Sequence, residues 1–258
     1  MEIVFVGAGR LATQLAKALH ARGEHIVAVY SRTMASASTL CLAVGGFPTD
    51  DISSLPTTAD AYLIAVKDAV LPQVAAQLIP GREHCPMFHT AGSVPLGVLG
   101  GACHYGVIYP MQTFSKERDV DFTHIPIFIE ANDERARAVA LALAQTVSDS
   151  VTELTSEQRR YLHLAAVFAC NFANHSYALA AKILEQHGMN FDVMLPLIDE
   201  TAQKVHAMHP LQAQTGPAVR YDKNVIEAQK ALLSDEPMMQ QLYDIMSKSI
   251  HTLSNDQL

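Results

Sequence analysis

The rhythm of hydrophobic positions changes near residue 153. Before it, short aliphatic and β-branched runs alternate with helical stretches. Residues 3–6 ("IVFV"), 25–30 ("HIVAVY") and 61–66 ("AYLIAV") read as buried strands, with further strands expected at 87–90, 107–108 and 127–129. Between them, residues 10–21 place Leu11, Leu15, Ala18 and Leu19 on one helical face, and residues 35–44, 69–78 and 135–145 also read as helix. Strands alternating with helices imply parallel crossovers and a doubly wound sheet. After residue 155 no run reads as strand. "TSE" opens a helical stretch that reaches about Gln186 and stops at His187-Gly188. Residues 191–208 form a second helical region interrupted by Pro196, and residues 209–217 a loop. Asp222 is placed to cap residues 223–233, and "DEP" at 235–237 opens the last helix. The expected organisation is therefore an α/β domain over 1–153 followed by an all-α domain over 154–258. Residues 164–172 and 177–184 are apolar on more than one helical face, so a second subunit is expected to cover them.

Composition supports a large folded core: 49% of the 258 residues are hydrophobic and 17% charged. The net charge of -8, with no Lys/Arg run, argues against nucleic acid and anionic membrane surfaces as partners. Cys41, Cys85, Cys103 and Cys170 form no C-x-x-C pair, and no His cluster completes a metal-ligand spacing. Reduced thiols, no metal and a cytoplasmic location are expected. The first apolar run is too short for a signal peptide, and no stretch approaches a membrane span.

The stretch "VGAGRLA" carries the first chemistry. Gly7-x-Gly9-x-x-Ala12 follows a strand and opens a helix at the start of a βαβ unit. Gly7 allows the tight turn, Gly9 lets a pyrophosphate approach the backbone, and Ala12 is small enough where helix meets strand. The exposed N–H groups of the helix start would hold the phosphates, which draws Ala8, Arg10 and Leu11 into the candidate cofactor site. The second strand ends in "YSRT" with no acid between Val27 and Thr39. An acid there would accept from a ribose 2′-hydroxyl. Ser31, Arg32 and Thr33 instead suit a 2′-phosphate, so the expected cofactor is NADP(H), unless Arg32 is simply an exposed loop residue.

Ligands of such sheets bind beyond the carboxyl ends of the strands. That rule adds Ala65, Val66 and Lys67 to the cofactor site and singles out His89 and Ser93 in "HTAGS". His89 and Ser93 could equally be loop hydrogen-bonders. Along the first long helix His163, Cys170 and Asn174 are spaced to share one face, with Asn171 to the side. Internal hydrogen bonds would account for them, as would a nicotinamide-facing role for His163 or Asn171 that orients or protonates a C=O or C=N group. In "TGPAVRYD" a Gly-Pro turn, Arg220 and a helix start could capture a carboxylate; a plain loop with Arg220 paired to Asp222 is the alternative.

The segments "VGAGRLATQLAKAL", "VYSRT", "FHTAGS", "YPMQTFS", "LHLAAVFACNF" and "QTGPAVRYD" occur in the order seen in a family of predicted NADP-dependent oxidoreductases, and the resemblance spans essentially the whole chain. The family joins a Rossmann-like domain to a helical domain of unknown function, and resembles pyrroline-5-carboxylate reductase and the 6-phosphogluconate dehydrogenase superfamily. In those relatives the helical domain dimerises and closes the active site, so the resemblance implies a homodimer. It also implies roles for His89, Ser93, Gln112, His163, Asn171, Thr215, Gly216 and Arg220. Ser93, His163, Asn171 and His89 are the catalytic candidates. Gln112, Thr215, Gly216 and Arg220 are the substrate-binding ones. Two departures stand out. Tyr109 replaces a His found in many members, which argues against catalysis at that position. Lys182 has no Asn four residues on, so the Lys-x-x-x-Asn pair of β-hydroxyacid dehydrogenases is missing. Two readings of function remain open. One is an NADP(H)-dependent oxidoreductase acting on a C=O or C=N carbon of a small, anionic metabolite. The other is an NADP(H)-binding sensor without turnover, since a fold alone does not prove catalysis. A deazaflavin-linked reductase is a weaker third.

Overall fold

The computed structural model describes residues 1–115 and 118–255. Five strands appear near their expected places, at β1 (Glu2–Val6), β2 (His25–Tyr30), β4 (Ala61–Ile64), β5 (Met87–His89) and β6 (Tyr105–Pro110), and a sixth at β7 (Ile127–Ala131). Two more were not legible in the chain: β3 (Phe47–Thr49) and β8 (Val151–Glu153), each three residues long. Neither carries an apolar run. β3 also carries Pro48, which is tolerated because the strand lies at the sheet edge.

The sheet order is β3-β2-β1-β4-β5-β6-β7-β8, parallel throughout except where β7 runs antiparallel to β6. The run from β3 to β6 is the order of a doubly wound dinucleotide-binding sheet, whose crevice opens beyond the carboxyl ends of its strands. Both faces are covered. Ile3, Phe5, Leu63 and Phe88 pack with helices α1 (Arg10–Ala21), α2 (Met34–Val44) and α4 (Glu134–Val147). Val4, Val6, Tyr62 and Ile64 pack on the other side with α3 (Leu71–Leu78). Burial on both faces explains why these strands read as unbroken apolar runs rather than alternating ones.

Helix α5 (Ser156–Ala166) starts at Thr155, whose side chain accepts from the Gln158 N–H while Gln158 reaches back to the Thr155 N–H. It runs into a π-helical segment (Val167–Phe172) and then α6 (Ala173–Gln186). The remaining helices are α7 (Leu195–Ala207), two four-residue pieces α8 (Pro210–Ala213) and α9 (Pro217–Arg220), α10 (Lys223–Ala231) and α11 (Pro237–Asn255). Pro196 sits in the first turn of α7, where no N–H is missed, rather than interrupting a helix. The expected loop at 209–217 holds α8. The chain divides into two compact units, Met1–Asn171 and Phe172–Leu258. Helix α5 thus belongs with the sheet unit, which extends past the expected boundary at residue 153. No described helix is long and apolar enough to cross a membrane.

Candidate functional site

The turn after β1 is built as the glycines imply. Gly7 has φ +122°, and a Cβ there would lie 2.3 Å from the Ala65 carbonyl oxygen. Any side chain would push β1 off the end of β4. Gly9 instead faces open space and begins α1 with no side-chain cap, so the first helical N–H groups stay available. Ala12 is fully buried under the helix. A cavity of about 460 Å³ opens here, and its lining includes Gly7, Ala8, Gly9, Ala65, Val66 and Lys67. Ser31, Arg32 and Thr33 close one end of it. Arg32 is exposed and none of the ion pairs of the described residues engages it. Thr33 begins α2 without capping it, and its hydroxyl donates to Ser36 Oγ at 2.9 Å. A free guanidinium, an uncapped helix start and neighbouring hydroxyls at one end of a glycine cradle fit a 2′-phosphorylated dinucleotide. Ser36, Gln73 and Gln77 also line the cavity and were not anticipated, being polar residues of helices with no motif of their own. Of the expected cofactor residues, Arg10 and Leu11 are not in the lining. Arg10 is exposed at the first turn of α1, and Leu11 packs against the core.

The second cluster surrounds the loop after β5. His89 is fully buried, and its Nδ1 accepts from the Ala91 N–H at 3.1 Å. Its Nε2 is buried without a partner in good hydrogen-bond geometry. Burial, with the nearby Arg159 charge, lowers its pKa to about 4, while the Pro95 carbonyl only partly offsets this. His89 is neutral at pH 7 and shapes the loop from beneath. Ser93, exposed on the loop, donates to the Asp68 carboxylate beyond β4.

Arg159, absent from the expected site, holds this loop. It is 1% exposed. Its Nη1 donates to the carbonyls of Ala91, Gly92 and Val94 at 2.8, 3.1 and 2.8 Å. Its Nη2 reaches Glu130 Oε2 on β7 at 2.9 Å. Ser156 donates to the same carboxylate through both its N–H and its hydroxyl, and accepts from the Leu96 N–H. An arginine inside a helical pattern gives no sign of partners more than sixty residues away.

One turn further along α5, His163 sits on the same loop. Its Nδ1 lies 3.0 Å from the Tyr109 hydroxyl, with the two rings edge-on at 72°. A Cβ at Gly92 would lie 2.5 Å from that Nδ1, so only glycine leaves room for the ring. Asn171 is exposed in the π segment. A π turn takes in one residue more than an α turn, which rotates later positions back by about 100°. Asn171 therefore moves toward the His163 side of the helix, and Cys170 moves off it; the expected common face assumed an unbroken 3.6-residue repeat. Gln112 lies apart from this cluster, in a hollow of about 400 Å³ with Arg118 and Asp119.

In the helical unit, Gly216 has φ +104° and begins α9. Thr215 and Arg220 are exposed, and Arg220 does not pair with Asp222 among the ion pairs present. Tyr221 follows in the left-handed region at φ 51° and stacks on His251 at 4.5 Å.

Residues 2–84 match the model of the family described as NADP oxidoreductase, coenzyme F420-dependent, and residues 125–250 match a domain of unknown function, DUF2520. A solved NADP oxidoreductase from Bacteroides fragilis is 52% identical, with 97% of this chain and 98% of that chain covered and a TM-score of 0.93. The chain belongs to this NADP oxidoreductase family. The family's cofactor is NADP(H), in keeping with the free Arg32 beside the glycine turn. The fold extends to more distant structures. An imine reductase from Myxococcus stipitatus in complex with NADP+ has a TM-score of 0.68 at 15% identity, covering 99% of this chain and 95% of that one. A pyrroline-5-carboxylate reductase from Coxiella burnetii has 0.59 at 17%, covering 98% and 97%. No curated protein matches the chain.

Proposed function

We propose that this oxidoreductase reduces the C=N or C=O carbon of a small, anionic metabolite. The bound nicotinamide supplies the hydride. Gly7, Gly9 and the start of α1 would hold its pyrophosphate, and Ser31, Arg32, Thr33 and Ser36 its 2′-phosphate. The observation that carries the reading is the position of the Ser93–Asp68 and Tyr109–His163 pairs. Asp68 and Ser93 stand beyond the carboxyl ends of β4 and β5, and Tyr109 is among the last residues of β6, at the same sheet edge as the glycine turn. His163 would protonate the substrate heteroatom and Ser93 would orient the reacting group. Asn171 would be a second orienting donor, and His89 would support the loop. Gln112 is assigned to substrate binding, and Gly216 with the exposed Thr215 and Arg220 to a substrate carboxylate. The two reductase structures above act, by name, on an imine and a cyclic imino acid, which favours C=N.

The helical unit is proposed to form a homodimer. Leu197 is 62% exposed, Ile245 62% and Met238 70%, an apolar surface that a second copy of the same unit would cover. The four unpaired cysteines suit a reducing cytoplasm.

The test is a binding titration of NADPH, NADP, NADH and NAD, followed by NADPH oxidation across a panel of cyclic imines and keto acids. Tight NADPH binding with turnover of a panel member is expected. Tight binding with none turned over would sink the reductase assignment. Because the N-terminal family model is described as coenzyme F420-dependent, a deazaflavin acceptor belongs in the same panel.

A further inference from the structure

We infer that Tyr109 fixes the tautomer of His163, and that the two form a proton-delivery pair in which the imidazole Nε2 faces the substrate. The inference deepens the reductase reading and rests on it. Three observations place the pair. Tyr109 is 9% exposed, and the hydrogen bond of its hydroxyl goes to His163 Nδ1 at 3.0 Å. The imidazole is wedged against Gly92, where a Cβ would collide at 2.5 Å, so the ring is clamped on two sides. The Gly92 carbonyl is itself held by Arg159, which α5 carries one turn before His163. The same helix therefore carries the imidazole and fastens the loop it leans on.

The hydrogen-bond inventory then decides which group is free to act. The Ser93 proton is committed to Asp68. His89 is sealed beneath the loop. The His163 ring is only partly buried, and its Nε2 has no hydrogen-bond partner among the described residues. A phenol donating to Nδ1 leaves the proton of a neutral imidazole on Nε2. When hydride adds to the substrate carbon, the C=N or C=O π pair moves onto the heteroatom. The Nε2–H bond breaks and a heteroatom–H bond forms. The Tyr109 O–H proton passes to Nδ1, so the imidazole stays neutral. After product leaves, the Nδ1 proton returns to the phenolate and Nε2 takes a proton from water, which restores the starting tautomer. Burial raises the Tyr109 pKa, while the Arg159 charge favours the transient phenolate and Asp68 opposes it.

The test begins without substrate. In the full chain labelled with 15N-histidine, the His163 ring is expected as the Nε2–H tautomer, and Tyr109→Phe is expected to shift it to a mixture. An Nδ1–H ring in the wild type, or a ring unchanged in Tyr109→Phe, overturns the inference. With whichever imine or keto acid the panel identifies, Tyr109→Phe is expected to lower kcat by about 100-fold. KM and NADPH affinity should change less than about threefold, because a positioning role acts on proton delivery and not on binding. An unchanged kcat overturns the pair. Absence of NADPH binding or turnover in the wild type overturns the reductase reading instead, and the tautomer measurement still decides the pair.

Discussion

The sheet unit and the helical unit treat their apolar side chains in opposite ways. Ile3, Phe5, Leu63, Phe88 and Ile127 are almost wholly removed from water in the first. In the second the buried apolar residues are few, Leu184, Ala218, Ile226 and Met239 among them, while Leu232 is 84% exposed and Met238 70%. A two-sided sheet satisfies its own hydrophobic demand, because helices lie on both faces. Helices apolar on several faces do not, unless something else covers them. The first unit thus buries its own apolar side chains, and the second leaves apolar side chains exposed, which the proposed homodimer would cover.

That contrast can be broken most forcefully at Arg159. If the sheet unit is internally complete, Arg159→Met leaves the Glu130 charge without its counter-ion and three loop carbonyls without their donor, and stability should fall by about 3–5 kcal/mol. Chemical denaturation of the variant checks this, and a loss under about 1 kcal/mol would mean that water already reaches the network. Next comes His89. Its folded pKa is depressed to about 4, whereas in the unfolded chain it takes up a proton near pH 6.5. The unfolded state binds more protons between those values, so stability should be full above pH 6.5. It should fall by up to roughly 3 kcal/mol as pH drops toward 4. His89→Gln should flatten that part of the profile; an equal slope in the variant would assign it to other groups.

Arg32 tests the open part of the same unit. Arg32→Ala should weaken NADPH binding about 10- to 100-fold, the worth of a charge-assisted phosphate contact, and NADH binding hardly at all. Equal losses for both cofactors would remove Arg32 from the 2′-phosphate site. The smallest effect on the protomer is expected in the helical unit. Leu197→Glu should alter protomer stability by no more than about 0.5 kcal/mol, as for other exposed positions. It should nonetheless shift sedimentation from dimer to monomer. A wild type that sediments as a monomer would leave the contrast between the units without its proposed explanation.

What was legible along the chain was what depends on near neighbours. Gly7, Gly9 and Ala12 could be read because the turn's demands fall within six residues, and the place of Arg32 on the cavity because the end of β2 fixes it. The helix opening at "TSE" could be read for the same reason, since its cap acts within three residues. β3 and β8 escaped because their three residues are largely uncovered and carry no apolar run, whereas the equally short β5 is wholly buried. The pairing of Tyr109 with His163 spans 54 residues, and that of Arg159 with Ala91 spans 68. The chain around Tyr109 suggested no catalytic role at all.

The sequence by itself determined a doubly wound sheet and its glycine turn and pointed to NADP(H), since backbone sterics, hydrophobic period and local charge act over a few residues. Only the tertiary structure decided which polar residues meet beyond β5. The crossovers deliver β4, β5 and β6 to one edge, α5 then lays Arg159 and His163 across it, and the π segment resets the face on which Asn171 emerges. Those contacts depend on where distant segments come to rest in space, and no spacing within the chain encodes that.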